Sequence, residues 1–341
     1  STRPVPAHNP MTTRAAGLAA RMARVAAMAG GAGGGALAPL TRTTTTNVRV
    51  AEVVRVNDLI TRFRFVARDG SELPAFSGGA HTVVEMDDHG TRRLNPYSLM
   101  SDPEDRSAYE ISVRRDDAGR GGSLYMHGHV KPGMEMVLSY PVNLFPLDNR
   151  ARKHLFLAGG IGITPFLAMS KQLTRFGGRF ELHYAARNPA LAAYADDLKT
   201  AHGDRVNLYF DEMGQQMPLA EILARQPIGT HLYCCGPKGM LNWVRKTAEA
   251  AGWPTHAVHF EEFTAPGTGA PFSVELSESK KTITVGPTQS LLEAMEAAGV
   301  DAPYLCRGGA CGQCETDVLG CDGHIDHNDH WLTDDQKAAN T

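Results

Sequence analysis

The chain has 341 residues, with 34 lysines and arginines against 37 aspartates and glutamates. This length accommodates roughly two to three domains of ordinary size. The near balance of charge argues against a nucleic acid or an acidic membrane surface as the partner. Six cysteines, three of them in one short motif, do not make a disulfide framework, and they indicate a reducing, cytoplasmic compartment. No apolar run approaches the length that spans a bilayer.

Residues 1–47 differ from the rest of the chain in composition. They contain several arginines and no acidic residue, and positions 30–35 are almost entirely glycine. A basic, weakly amphipathic helix over 12–28 is typical of an organelle-targeting peptide. A disordered extension, or a tag remnant ahead of Met11, has the same composition. We predict a mobile tail without a catalytic role.

Residues 48–150 predict an antiparallel β domain. Runs rich in β-branched and aromatic residues alternate with Gly, Asp and Pro, as in a small barrel or sandwich of short strands. The predicted strands are 47–56, 60–67, 81–86, 109–114 and 135–140.

Two segments of this domain carry groups that bind phosphate. Arg93 stands in a predicted turn after one strand, Arg114 closes another strand, and residues 119–123 open a predicted helix. Guanidinium groups, a serine hydroxyl and the free N–H groups of a helix start together make an anion site. Tyr97 offers a ring that can lie against a flat heterocycle. Polar turns with solvated arginines are the alternative for each segment alone.

From Lys153 onwards strands alternate with helices, which predicts a parallel α/β sheet over 151–263. The turn between its first strand and first helix contains Gly159, Gly160 and Gly162. Such a turn lets the backbone approach a pyrophosphate at a helix N-terminus. The third glycine of the full dinucleotide fingerprint is absent, so an ordinary tight turn is the alternative. The predicted strands are 154–158, 180–186, 206–211 and 231–235, and the predicted helices are 165–176, 190–201, 219–225 and 239–251.

Cys235, Gly236 and Pro237 end a later strand of the same sheet, at the edge where open α/β sheets bind ligands. A thiol and a flat backbone at this edge can lie beside a nicotinamide. We predict that the preceding Cys234 is a buried structural cysteine.

Segment 264–271 is a linker by composition, and 272–341 forms a third module. A hairpin over 272–285 and a helix over 290–298 precede the loop with Cys306, Cys311 and Cys314. The C-x4-C-x2-C spacing is that of a plant-type [2Fe–2S] cluster. Glycines between the cysteines allow positive φ and let N–H groups face the cluster sulfurs. A zinc knuckle, which usually shows C-x2-C pairs, and a chance group of buried thiols are the alternatives.

The cluster requires a fourth thiolate. Cys321 follows within residues 319–323, which we interpret as a turn between strands, and we predict that it is a bystander. The fourth ligand is expected beyond Thr341, with Cys321 as the less favoured substitute.

Together these motifs resemble the phthalate dioxygenase reductase family, which includes the vanillate demethylase reductases. The resemblance implies a ferredoxin-reductase-like, FMN-binding β-barrel over 48–150 and an NAD-binding parallel α/β domain over 151–263. It also implies a C-terminal β-grasp [2Fe–2S] ferredoxin domain over 272–341. Asn95 departs from the family's Arg-x-Tyr-Ser motif, which leaves Arg93 or Arg114 to supply the guanidinium. The motifs that carry the resemblance are 97–99, 119–123, 159–165, 235–237, 259–263 and the cysteine loop.

The resemblance implies a reductase that passes electrons from NADH through FMN and the cluster to a terminal oxygenase. That partner is most often a Rieske-type iron enzyme, and a haem or other iron oxygenase is equally compatible. Thr164 would orient the flavin–nicotinamide pair, with Cys235 beside the nicotinamide, and Phe263 would cover the flavin ring until the nicotinamide displaces it. Arg187 follows the second strand of the parallel sheet, where a 2′-phosphate is read, so NADPH is the minority alternative. The implied cofactor-binding residues are Arg93, Asn95, Tyr97, Ser98, Leu99, Ser112, Val113, Arg114, Gly121, Gly122, Ser123, Gly159, Gly160, Gly162, Thr164, Arg187, Cys235, Gly236 and Pro237.

Two functions of other kinds stay open on the sequence alone. The chain could be a stand-alone flavin reductase or NADH oxidase with a defective cluster domain. It could also be a non-catalytic subunit that uses its ferredoxin-like domain for docking.

Overall fold

The computed structural model describes residues 44–263, 269–309, 311–327, 329 and 331–339. The predicted helix over 12–28 and most of the predicted linker lie outside these ranges. The described residues form three separate sheets. Within these ranges no helix combines the length and the apolar character needed to cross a membrane.

The first sheet is antiparallel and lies within residues 45–143. Its strands lie in the order β4-β3-β6-β1-β2-β5, with β7 paired to β3. Phe63 and Phe65 of β2 are fully buried while the residues between them are half-exposed, as expected for a strand with one face on a core. The elements are β1 (Thr45–Arg55), β2 (Ile60–Ala67), β3 (Ala80–Asp88), β4 (Thr91–Ser98), β5 (Tyr109–Arg114), α1 (Gly122–His129), β6 (Glu135–Ser139) and β7 (Val142–Asn143).

The segment predicted as a turn around Arg93 is strand β4, so that prediction was wrong. Proline suggested a turn, but Pro96 lies within the strand and opposite Val83 of β3. Because β4 is at the end of the sheet and pairs with β3 alone, a residue without an N–H is tolerated there.

The second sheet is parallel, with strand order β10-β9-β8-β11-β12. Helices cover both faces, so β8 contributes Phe156 to the core on one side and Leu155 to the core on the other. Strand order reverses between β8 and β11, and this switch point places the turn after β8 beside the end of β11. The elements are β8 (Lys153–Gly159), α2 (Thr164–Arg175), β9 (Phe180–Ala186), α3 (Ala195–His202), β10 (Val206–Phe210), α4 (Leu219–Ala224), β11 (Thr230–Cys235), α5 (Lys238–Ala250) and β12 (Val258–Glu261).

The third module has a much smaller core, formed by Ile283, Val285 and Ala294. Ser290 caps the helix that packs on the hairpin, and Glu293 completes the capping box. No strand occurs among residues 311–327, so the interpretation of 319–323 as a turn between strands was wrong for this described segment. The elements are β13 (Phe272–Leu276), β14 (Lys281–Val285), α6 (Leu291–Ala297) and α7 (Asp334–Ala338).

Candidate active site

A cleft of about 1320 Å³ opens where the three modules meet. It brings together strand β4, the start of α1, the carboxyl edge of the parallel sheet and the first cysteine of the cysteine loop. The predicted site residues that line it are Arg93, Asn95, Tyr97, Ser98, Ser112, Arg114, Gly122, Ser123, Thr164, Phe263 and Cys306. Those that do not line it are Leu99, Val113, Gly121, Gly159, Gly160, Gly162, Arg187, Cys235, Gly236, Pro237, Cys311 and Cys314.

Ser98 presents an unused polar group to the cleft. Its side chain is only 4% exposed, and its Oγ has no hydrogen-bond partner among the residues that the structure describes. A buried hydroxyl without a partner is costly unless a ligand supplies one. Beside it, burial raises the pKa of Tyr97 to about 12, and Asn95 Nδ2 lies 3.4 Å from the Tyr97 hydroxyl. These neutral polar groups fit the edge of a flavin ring.

The start of α1 lies against β4, at the segment that the sequence analysis predicted to bind phosphate. We call this part of the cleft the phosphate corner. Gly121 has φ +97°, which favours glycine, and a Cβ at Gly122 would lie 2.4 Å from Asn95 Nδ2, so a larger residue at 122 would displace the Asn95 side chain. No side chain caps this helix and its first turn has no acidic residue. Ser123 Oγ accepts the Asp116 N–H at 3.1 Å. The exposed N–H groups and the positive helix end are therefore available to an anion.

Two arginines flank this corner, and among the described residues only one of them is paired with a carboxylate. Arg93 Nε donates to Asp88 Oδ2 at 2.7 Å, and Arg93 Nη1 donates to the carbonyl of Arg120. Arg114 is exposed and lines the cleft. Because Arg93 is already neutralised by a carboxylate, Arg114 is the more available guanidinium for a phosphate.

Three residues that were predicted to contact the flavin make contacts within the protein instead: Leu99, just after β4, and Ser112 and Val113 of β5. The side chains of Leu99 and Val113 are buried in the core of the antiparallel sheet, so only their backbones can meet a ligand. The carbonyl of Val113 is bonded to His127 Nε2 at 2.8 Å. Ser112 Oγ lies 2.5 Å from the hydroxyl of Tyr194, which joins the antiparallel sheet to the parallel-sheet module.

The glycine turn and the end of β11 are packed directly against each other. A Cβ at Gly162 would lie 2.2 Å from the Cys235 carbonyl oxygen, and a Cβ at Gly159 would lie 2.8 Å from Pro237 Cδ. Gly160, in contrast, has φ +55° and open space around its Cβ direction. Thr164 is buried, and its Oγ1 donates to the Ile161 carbonyl at 3.0 Å. The glycines thus hold the switch point tightly together at the rim of the cleft.

A half-buried carboxyl group, which the sequence analysis did not identify, lies beside the Cys235 thiol and lines the cleft. Glu261 Oε2 is 4.0 Å from Cys235 Sγ, and burial raises the pKa of Glu261 to about 8. Burial also raises the pKa of Cys235, so both groups are largely protonated at neutral pH. Glu261 lies opposite Cys235 in the neighbouring strand, and this pairing could have identified it from the sequence. Strand β12 was not predicted, so the pairing was missed. Phe263 follows, 44% exposed and lining the cleft.

Arg187 lies at the carboxyl end of β9, outside the cleft. It is exposed, and its carbonyl accepts the Glu212 N–H at 2.9 Å. The structure therefore does not bring its side chain to the other predicted ligands.

The cysteine loop brings the thiols of Cys306 and Cys311 into hydrogen-bond contact beside tight glycine turns. The Gly308 N–H donates to Cys306 Sγ at 3.5 Å, and Cys306 is buried at the cleft. A hydrogen bond with Cys306, together with burial, raises the pKa of Cys311, while Cys314 is exposed. Gly312 has φ +70°, and a Cβ there would strike the Trp331 ring at 2.2 Å. Thiols on a glycine loop with an amide aimed at sulfur fit a [2Fe–2S] cluster.

Cys321 is exposed. Among the described residues no three Cys, His, Asp or Glu side chains are grouped as ligands of a single ion.

An antiparallel flavin-type sheet, a nucleotide-type switch point and a ferredoxin-type loop on one cleft define an iron–sulfur flavoprotein reductase. Residues 137–258 match the family described as dimethylamine monooxygenase subunit DmmA-like, N-terminal domain. Residues 274–341 match the 2Fe-2S iron-sulfur cluster binding domain. The chain belongs to the phthalate dioxygenase reductase family.

Relatives of the chain are similar along most of their length. The haem-dependent oxidative N-demethylase beta subunit of Ectopseudomonas mendocina is 45% identical, over 86% of this chain and 93% of its own. The carnitine monooxygenase reductase subunit of Acinetobacter pittii is 43% identical, over 84% of this chain and 93% of its own. The solved structure of phthalate dioxygenase reductase superposes with a TM-score of 0.77 at 35% identity, covering 86% of this chain and 92% of its own.

These findings confirm the predicted fold class, cofactors and class of reaction. The protein is an NADH-dependent oxidoreductase with FMN and a [2Fe–2S] cluster, and it is the reductase component of an oxygenase system. The stand-alone flavin reductase and the non-catalytic docking subunit are therefore not the functions of this chain.

Proposed function

We propose that this reductase supplies electrons to an oxygenase that removes methyl groups from nitrogen, with a haem-dependent amine demethylase as its partner. The support is the 45% identity to the beta subunit of such a demethylase, together with the match of 137–258 to a dimethylamine monooxygenase subunit. A Rieske-type partner, expected from the family as a whole, is the second candidate. The carnitine monooxygenase reductases support an N-methyl substrate, because carnitine is also an N-methyl compound, and they favour neither type of partner.

The roles of the side chains follow from the cleft. Ser98 and Tyr97 would hold the flavin ring, while Arg114 and the start of α1 at Gly122 would hold its phosphate. FMN held there would supply a group that accepts one hydride from NADH and passes its two electrons singly to the cluster, whose type has a potential of about −400 mV. Phe263, half-exposed at the mouth of the cleft, would cover the ring face and exclude water.

On the nicotinamide side, the protonated Glu261 can donate a hydrogen bond beside the Cys235 thiol. Thr164 fixes the start of α2 through its bond to Ile161 rather than by a free hydroxyl. Cys306, Cys311 and Cys314 would supply three of the cluster ligands. The predicted boundaries of the tail (1–47), the three domains and the linker (264–271) stay part of this proposal, as does a cytoplasmic location.

Reconstitution tests the proposal. The purified reductase is mixed with NADH and either a haem-dependent amine demethylase or a Rieske-type N-demethylase, each with its own substrate, and formaldehyde release is measured. We expect turnover of dimethylamine with the haem partner at a rate at least about tenfold above that of the Rieske pair. Equal support of both partners, or support of the Rieske enzyme alone, would overturn the haem assignment.

A further inference from the structure

One ion pair connects the flavin-side sheet module to the ferredoxin domain. The guanidinium of Arg120, in the loop before α1, donates through Nη2 to Glu293 Oε2 of α6. The two side chains are only 19% and 21% exposed. Both residues line the same cleft as Ser98 and Cys306, so the pair closes one wall of the space between the flavin corner and the cysteine loop.

Each partner is held in place by its own module before the two meet. The Arg120 carbonyl accepts from Arg93 Nη1, and Arg93 is in turn paired with Asp88 at 2.7 Å. Glu293 accepts the Ser290 N–H at 2.8 Å as part of the capping box of α6. The pair therefore joins two rigid anchors rather than two mobile side chains, which lowers the entropy cost of forming it.

The carboxyl group of Glu293 is ionised in this arrangement. Burial would raise the pKa of Glu293, but the Ser290 N–H and the Arg120 charge outweigh burial and leave that pKa lowered. A half-buried, charge-assisted hydrogen bond is stronger than a fully exposed ion pair.

We propose that Arg120 and Glu293 form an interdomain latch, which positions the ferredoxin domain over the cleft and so sets the rate at which electrons pass from flavin to cluster. The inference rests on the residue roles given under the proposed function. NADH delivers two electrons and a [2Fe–2S] cluster accepts one at a time, so each turnover needs two passages through the latched arrangement. Arg120 and Glu293 are positioning residues, and neither one accepts or donates the electron.

Glu293→Gln is the variant that isolates the latch. Glutamine also serves at this position of a capping box, so the helix start is kept while the charge that Arg120 requires is removed. In anaerobic stopped-flow experiments we expect bleaching of flavin by NADH at the wild-type rate and cluster reduction about fivefold slower. Small-angle scattering of the same holoprotein should show a larger radius of gyration.

A double-mutant cycle supplies the second test. Arg120→Gln, measured with the flavin site saturated because the residue neighbours the phosphate corner, should slow cluster reduction by about the same factor as Glu293→Gln. The double variant should be no slower than either single variant, since both remove one interaction. Arg115→Ala and Glu278→Gln change exposed charges of the same two modules and serve as matched controls with wild-type rates.

Three results would overturn the latch. They are wild-type cluster reduction in Glu293→Gln, equal slowing of flavin and cluster reduction, and multiplicative effects in the cycle. If the proposed residue roles are wrong, the wild-type protein itself will show no bleaching of the flavin or of the cluster by NADH. That result differs from each of the three results that would overturn the latch.

Discussion

The parallel-sheet module and the ferredoxin domain are held together in different ways. The former buries large side chains such as Phe156, Phe166 and Leu232 in two cores on either side of its sheet. The latter has a core of three residues, helped by a capping box and by Arg307, which pairs with Glu296 at 2.6 Å. We expect a module with so little apolar burial to draw stability from its metal group, and we expect packing in two cores to stabilise the parallel-sheet module.

Loss of the cluster should give the largest effect. Cys311→Ser removes a predicted ligand, so we expect cytochrome c reduction by NADH to fall at least about a hundredfold and the ferredoxin domain to unfold well below the wild-type temperature. Flavin bleaching by NADH should persist, since the cleft residues of the other two modules are unchanged. Absorption spectroscopy and calorimetry measure these effects. Loss of flavin bleaching as well would contradict the independence of the modules.

In the parallel-sheet module, the glycine with the tightest backbone contact should contribute most to the free energy of unfolding. Gly162→Ala places a Cβ 2.2 Å from the Cys235 carbonyl oxygen, so we expect a loss of about 2–4 kcal/mol in the free energy of unfolding. Gly160→Ala has open space and meets only the penalty of φ +55°, about 1–2 kcal/mol. Urea titration followed by circular dichroism compares the two. A larger loss for Gly160→Ala would show that packing at the switch point is not what requires glycine.

The affinity for FMN should depend on Arg114 more than on the adjacent Arg115. Arg114→Ala removes the exposed guanidinium that lines the cleft, and we expect the Kd for FMN to rise about tenfold. Arg115→Ala is the matched control, because that side chain pairs with Asp117 at 2.8 Å and does not line the cleft. Fluorescence titration of the flavin-free protein gives both constants. An unchanged Kd in Arg114→Ala would assign the phosphate to Arg93 instead.

The last test concerns the pH dependence of stability. The pKa of Glu261 is raised from 4.5 to about 8 by burial, so the folded state keeps a proton that the unfolded state loses. Stability therefore falls as the pH rises from about 4.5 to about 8 and is level above that range. In Glu261→Gln this decline should be absent, so the variant gains on the wild type across the window. The urea midpoints of the two NADH-free proteins at pH 5, 7 and 9 test this prediction. Parallel pH profiles of the wild type and the variant would contradict the raised pKa of Glu261.

Local sequence signals predicted the elements whose contacts are local. The hairpin strands Phe272–Leu276 and Lys281–Val285 and the strands Ile60–Ala67 and Phe180–Ala186 occur as predicted, because alternating or continuous apolar runs determine them. The glycine turn also lies between a strand and a helix, as predicted. These features need no knowledge of the partner elements.

The features that sequence analysis missed depend on distant neighbours. Pro96 is tolerated because β4 is an edge strand, which only the sheet order shows. Glu261 lies beside Cys235 only because β12 pairs with β11, and Arg120 and Glu293 are 173 positions apart in the sequence. No local pattern encodes such pairs.

The most direct test of the account is an anaerobic NADH titration of the purified protein, with flavin, iron and sulfide quantified in the same sample. The account predicts about two irons and two sulfides per FMN, with both the flavin and the cluster absorption bleached by NADH. Flavin bleaching in a protein that contains no iron, or a cluster that NADH does not reduce, would contradict it.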